Sequence, residues 1–277
     1  MKINFLVLLA AASTFGSATF ATAQTLLTDN FTVTQAVNLQ PNFEIENRQG
    51  GTQALSPYSI SNQGSNFGIQ LGNSGTNVGQ PSGDGNYLLL ADESGVQNGL
   101  ALDDALTGGK PLNFTFDLYV AAQFANQTVW NSFSLQFAGS SFVVAGANEF
   151  GMLRRVNGGM QFFTNGGAVG ELGEGSALSP IMSVTFSDLA GTGSPFAGNG
   201  SRVVVSNDGN VVFEYNFDNN NQLASSGLQF GFYGVGGAVS GVDNLTVSAV
   251  PEPSTVAILA FGAVFVCLVT RRVRRVS

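Results

Sequence analysis

The sequence predicts an all-β chain, an antiparallel two-sheet sandwich of jelly-roll type, with an N-terminal signal peptide and a C-terminal transmembrane helix. Three observations predict it. Short runs alternate apolar with polar residues; Gly, Asn, Asp and Ser clusters separate those runs; and the two ends alone carry apolar stretches bordered by basic residues.

The elements follow in chain order. Lys2, the apolar run Ile3 to Ala12, and Ala21 and Ala23 flanking Thr22 form the pattern of a secretory signal peptide, cut between Ala23 and Gln24. Ten apolar residues rise only about 15 Å, half of a hydrocarbon core, so an uncleaved anchor is disfavoured. The domain organisation is then a signal peptide over 1–23, a β-sandwich ectodomain over 24–249 and a sorting tail over 250–277.

Within the ectodomain, PLNFTFDLYV places Leu112, Phe114, Phe116, Leu118 and Val120 on one face and Asn113, Thr115, Asp117 and Tyr119 on the other. That period of two is the mark of a half-buried strand. Phe133, Leu135 and Phe137 alternate with Ser132, Ser134 and Gln136, and Leu228, Phe230 and Phe232 alternate with Gln229 and Gly231. RVVVSNDGNVVFEYNF reads as a hairpin, because Asn207-Asp208-Gly209-Asn210 supplies residues that tolerate positive φ between β-branched runs. Its second strand lines up Val211, Phe213, Tyr215 and Phe217. Further strands are expected at FTVT, FGIQL, YLLL, SFVV, MQFF, IMSVTF and DNLTVSA. About a dozen short strands without internal repeat, and without a proline-rich or charged linker, fit one large sandwich.

Composition narrows the function. Five of the ten basic residues belong to the ends, leaving Arg48, Lys110, Arg154, Arg155 and Arg202 against seventeen acidic residues in the middle, a net of −12. Such a surface repels phosphate backbones, so nucleic acid is not an expected partner. The only cysteine, Cys267, lies in the tail, so the exported part folds without an internal disulfide.

The chain has no histidine, which removes Ser-His-Asp and Cys-His catalysis and every histidine metal site. A glycosidase would need two carboxylates about 5 to 10 Å apart. Glu44 and Glu46 in FEIEN have same-face spacing, but such a pair is common on a solvated strand. Asp103 and Asp104 would diverge on a strand and suit a helix cap or a turn. No catalytic residue is therefore assigned, and the protein is expected not to be an enzyme; a secreted glycan hydrolase is the alternative. No cofactor is expected. Calcium stays open, since Asp84 and Asn86 in PSGDGNY and Asp92 and Glu93 in ADES offer hard oxygen ligands, although an ordinary turn explains the same spacing. For sugar binding, exposed aromatics that stack on pyranose rings are the signal. Tyr119, Trp130 and Tyr233 are the candidates, the tyrosines because each faces away from its strand's apolar set. N-x-S/T triplets stand at Asn30, Asn113, Asn126, Asn199 and Asn244.

The tail joins Pro251-Glu252-Pro253, an uncharged run from Ser254 to Thr270, and Arg271, Arg272, Arg274 and Arg275. Seventeen residues rise about 26 Å, the lower limit for a spanning helix, and arginines beside a span stay cytoplasmic. Together these features resemble the PEP-CTERM sorting domain of exported bacterial proteins. The resemblance implies a transient anchor, recognised by a membrane-embedded exosortase that cuts near Pro251, Glu252 and Pro253. It further implies release to the cell surface or extracellular matrix, with exopolysaccharide as a possible partner. A permanently anchored single-pass surface protein is the second alternative. In closing on GVDNLTVSA before the tail, the chain also resembles many proteins with this tail, which end a sandwich on an Asp-Asn strand; in strand rhythm the body is similar to concanavalin-like lectin and glucanase sandwiches. The expected function is that of an exported, non-enzymatic structural or carbohydrate-binding protein.

Overall fold

The computed structural model describes residues 23–31, 58–62, 69–72, 87–90, 94–120, 130–139, 145–176, 178–217, 222–235 and 240–250. The strands all fall in one unit, Gln24–Val250; residues 1–23 and 251–277 make up a second unit, of which only Ala23 is described. Among the described residues no helix is long and apolar enough to cross a membrane. The expected signal peptide and transmembrane helix lie outside them.

The strands are β1 (Gln24–Asp29), β2 (Tyr58–Asn62), β3 (Ile69–Gly72), β4 (Tyr87–Leu90) and β5 (Ser94–Asn98). After a one-turn helix α1 (Asp104–Thr107) come β6 (Leu112–Val120), β7 (Trp130–Phe137), β8 (Phe150–Arg155), β9 (Met160–Thr164) and β10 (Gly167–Leu172). The last five are β11 (Ile181–Ser187), β12 (Ser201–Asn207), β13 (Asn210–Phe217), β14 (Leu228–Val235) and β15 (Ser240–Ala249). They form two antiparallel sheets. The eight-stranded sheet runs β13-β12-β11-β6-β15-β4-β3, with β1 also paired to β15, and the seven-stranded sheet runs β10-β9-β8-β7-β14-β5-β2. The expected two-sheet sandwich is the observed architecture.

Alternation sets the layers. Leu112, Phe114, Phe116 and Leu118 of β6 face the same interior as Phe133 and Leu135 of β7 and Phe230 and Phe232 of β14, all fully or almost fully buried. Phe133 sits at the centre, its ring 5.0 Å from those of both Phe114 and Phe116 and 5.7 Å from that of Phe232. Each buried phenylalanine contributes about 2 kcal/mol from area alone, and tilted ring pairs add about 0.5–1.5 kcal/mol. The sheets approach closely where Gly234 lies against Leu90, since a Cβ there would stand 2.8 Å from the Leu90 carbonyl oxygen.

Turns hold the registers. Asp208 (φ 48°) and Gly209 (φ 77°) both take positive φ between β12 and β13, the hairpin expected from the sequence. Asn165 (φ 51°) and Gly166 (φ 76°) do the same between β9 and β10, an Asn-Gly signal that the sequence reading passed over. Asp103 caps α1, its Oδ1 accepting the Leu106 amide at 2.7 Å, so the capping alternative for this residue is the one realised.

Several boundaries differ from expectation. β1 begins at Gln24, upstream of the FTVT strand, of which only Phe31 lies within the described residues; SFVV lies outside them. β2, β5, β8 and β10 were not anticipated. Phe137 ends β7 with 40 % of its surface exposed and Val211, second in β13, has 61 %, so neither joins the core that its parity suggests.

Candidate functional site

Register assigns each candidate to a face. On the seven-stranded sheet, Trp130 pairs with Val235 of β14 and with Arg155 of β8, and Tyr233 pairs with Ser132. Trp130 and Tyr233 therefore share the face turned away from the core. Their ring centroids are 5.7 Å apart and tilted by 40°. Trp130 is half-buried and Tyr233 buried. Tyr119 stands on the outer face of the other sheet, so the fold joins two of the three aromatic candidates and separates the third.

The outer face of the seven-stranded sheet continues from that pair in two directions. Toward β10 it runs through Arg155, whose Nη2 donates to Gln161 Oε1 at 2.7 Å, and Gln161 Nε2 donates to Glu171 Oε2 at 3.4 Å. Arg155 carries a further buried Nε without a hydrogen-bond partner. Across the middle, Gln97, Gly231, Ser134 and Gly151 stand side by side in register. Ser132, Ser134, Gln136 and Gln97 are all buried there, and Ser134 Oγ has no partner among the described residues. Gln97 closes this end: its Nε2 donates to the Phe137 carbonyl at 3.1 Å and its Oε1 accepts the Gly139 amide at 3.1 Å. Glu149 fixes the turn behind it, accepting the Phe137 amide through Oε1 at 2.8 Å.

Neighbouring Arg154 does different work. Its side chain points inward and its Nη1 donates to the carbonyls of Leu118 and Ser179, its Nη2 to that of Leu178, each at 2.8 Å. Burial lowers its pKa to about 10, against the raising influence of Tyr119, so it remains a guanidinium at neutral pH. Asn131 complements it, with Nδ2 donating to the Tyr119 and Gly241 carbonyls at 3.4 and 3.3 Å. Both side chains tie the two sheets together at one end.

On the outer face of the eight-stranded sheet the structure brings Asp117 opposite Asp243 across β6 and β15, a carboxylate pair not foreseen from sequence because the residues are far apart in the chain. Asn244 explains it. This residue takes φ 52° inside a β-bulge, its Nδ2 donates to Asp117 Oδ2 at 2.8 Å, and its amide donates to Asp243 Oδ1 at 2.7 Å. Tyr119 adds a hydroxyl contact to Asp117 Oδ2 at 3.3 Å. The donors hold the bulge in place, which accounts for the Asp-Asn dipeptide in the last strand.

Among the described residues no group of three His, Cys, Asp or Glu side chains could hold a metal. Asp84, Asn86, Asp92 and Glu93, the calcium candidates, lie outside the described residues, as do Glu44 and Glu46 and the sorting residues Pro251 to Arg275. Of the residues expected at the signal cleavage site, Ala23 is described and Gln24 opens β1, opposite Ala249.

No curated protein matches the chain. Solved structures are similar in fold: peanut lectin with a nine-residue peptide at 13 % identity, covering 83 % of this chain and 98 % of that one with a TM-score of 0.44. The potassium-bound carbohydrate recognition domain of Emp46p is similar at 10 % identity, covering 77 % and 96 % with a TM-score of 0.45. A Bacillus subtilis protein of unknown function with a galectin-like fold is similar at 9 % identity, covering 84 % and 99 % with a TM-score of 0.46. Residues 249–275 match the PEP-CTERM protein-sorting motif, so the chain is a protein with a PEP-CTERM sorting motif at its C-terminal end, the mark of a secreted, exported bacterial protein.

Proposed function

We propose that the protein is a non-enzymatic carbohydrate-binding component of the cell surface or extracellular matrix, carried there by its sorting motif. The observation that supports this most is the Trp130 and Tyr233 pair on the outer face of the seven-stranded sheet, two rings 5.7 Å apart beside hydroxyl, amide and guanidinium groups. The half-buried indole of Trp130, backed by the buried Tyr233 ring, can stack on the C–H face of a pyranose while neighbouring polar groups bond its hydroxyls. Catalysis is a poorer reading, because the chain has no histidine and the Asp117 and Asp243 pair is engaged in holding a bulge.

Trp130 is the only tryptophan in the chain, so its fluorescence reports on the site without labelling. A panel of polysaccharides titrated against the full chain should include at least one that changes that emission saturably, with no reducing ends released. Release of new reducing ends would sink the non-enzymatic reading. Trp130→Ala, which removes the fluorophore, should abolish the binding when it is followed by calorimetry instead.

Delivery is part of the same proposal. The tail from Pro251 to Arg275 is read as a transient anchor cut near Pro251-Glu252-Pro253 by a membrane-embedded exosortase. Mass spectrometry of the exported protein should find no peptides from 254–271. Their presence would leave a permanently anchored surface protein in its place.

A further inference from the structure

Three arginines of the ectodomain have described partners, and they are used differently. Arg154 is spent on three backbone carbonyls, and Arg202 forms an ion pair with Glu214 at 2.9 Å. Arg155 has neither kind of acceptor. Its Nη2 meets the neutral amide oxygen of Gln161, its Nε is buried without a partner, and it forms no ion pair among the described residues. It is also the direct cross-strand neighbour of Trp130, on the face that carries the aromatic pair.

An arginine left without a counter-charge is unexpected in a domain whose net charge is −12, where acidic side chains outnumber basic ones by more than three to one. Gln161 itself marks the choice. A carboxylate in its place would neutralise the guanidinium; an amide instead holds it in position and leaves the charge intact. Glu171 meets that same amide, its Oε2 accepting from Gln161 Nε2 at 3.4 Å. Bonding the hydroxyls of a neutral sugar needs no formal charge. A guanidinium fork matches a carboxylate, and charge-assisted hydrogen bonds are about twice as strong as neutral ones.

We propose that Arg155 makes the site beside Trp130 and Tyr233 a subsite for an acidic sugar, a uronate residue of a polysaccharide whose ring stacks on the indole while its carboxylate meets the guanidinium. The inference rests on the carbohydrate-binding reading and narrows its ligand class. Glu171 limits how the polymer lies, because an anionic neighbour extended toward β10 would meet a like charge.

The test compares oligogalacturonate, oligomannuronate and oligoglucuronate with their methyl esters, which keep the ring and lose the charge, using Trp130 emission of the full chain in detergent. At least one free acid should bind about tenfold more tightly than its ester, and added salt should erase most of that difference. Arg155→Gln should bring the acid-to-ester affinity ratio down to about one, Arg155→Lys should fall between, and Glu171→Gln should strengthen binding of longer acids. Equal binding of acid and ester, or an acid preference that survives Arg155→Gln, overturns this inference and leaves carbohydrate binding standing. If neither these nor any neutral glycan alters Trp130, both fall together. Should the Arg155 variants fail to fold, the acid-to-ester ratio of the unaltered protein decides by itself.

Discussion

The outer faces of the two sheets are built from similar residue types and behave differently. On the eight-stranded sheet, β6 and β12 show strict alternation of buried and half-exposed residues, and the polar groups satisfy one another in the open: Ser183 Oγ and Thr185 Oγ1 both donate to Asn113 Oδ1, at 2.9 and 2.8 Å. On the seven-stranded sheet, six consecutive residues of β7 and five of β14 are buried, so both faces are dry along these stretches, beside the half-buried Trp130 and Arg155. There Ser134 Oγ is buried with no partner among the described residues. A wet face accepts polar side chains without cost, whereas a dry one loses about 1–3 kcal/mol for each buried polar group left unpaired. The eight-stranded sheet therefore has the outer surface of an ordinary sandwich. The seven-stranded sheet keeps glycine, serine and glutamine where packing alone would favour apolar side chains.

The comparison breaks most readily where the two sheets depend on one another. Phe133 belongs to the seven-stranded sheet yet its ring touches Phe114 and Phe116 of the other, so Phe133→Ala should cost about 3–5 kcal/mol in urea unfolding followed by Trp130 emission. A loss under about 1 kcal/mol would mean that the layers do not share a core. Arg154→Met is next, on the order of 3 kcal/mol, because three carbonyls lose their donor. The sign of its pH dependence follows from the lowered pKa. The unfolded chain holds the Arg154 proton more tightly than the folded one, so this group's contribution rises with pH only above about 10. Between about pH 6 and pH 9 the loss in Arg154→Met should stay constant, and a loss that varied across that range would point to another titrating partner.

A smaller effect tests how the sheets meet. Gly234→Ala puts a methyl 2.8 Å from the backbone oxygen of Leu90, which cannot swing away, so a loss of about 1–3 kcal/mol is expected. Gly167→Ala, with nothing within 4 Å of its Cβ, should change stability by less than about 0.5 kcal/mol. Equal effects at the two positions would remove the close approach from the account.

The same contrast explains what could be read in the sequence. Strands β6, β11 and β12 were legible because one of their faces is wet, and alternation is a record of water on one side. β5 (SGVQN) and β8 (FGMLRR) gave no such record, since both their faces are largely buried and glycine occupies outward positions. Trp130 and Tyr233 were legible as aromatics out of phase with their strands' apolar sets. Arg155 was not, because its meaning depends on standing opposite Trp130, and that register passes through a loop whose length fixes nothing locally. The pairing of Asp117 with Asp243 was hidden for the same reason.

The last prediction has the smallest effect and bears most directly on the difference between the faces. Ser134 and Thr115 each stand on an outer face with a hydroxyl, one dry and one wet. Deleting a half-exposed hydroxyl within reach of water should leave stability within about 0.5 kcal/mol, and Thr115→Ala is expected to do that. Deleting a buried hydroxyl without a partner removes a desolvation cost and leaves only a small void, so Ser134→Ala should be neutral or stabilising by about 1 kcal/mol. Calorimetry of the two variants side by side gives the sign. If Ser134→Ala instead destabilised by more than about 1 kcal/mol, the hydroxyl would have an acceptor that the described residues do not contain. The dry face would then be a bonded polar layer, and the contrast drawn between the sheets would reduce to one of exposure.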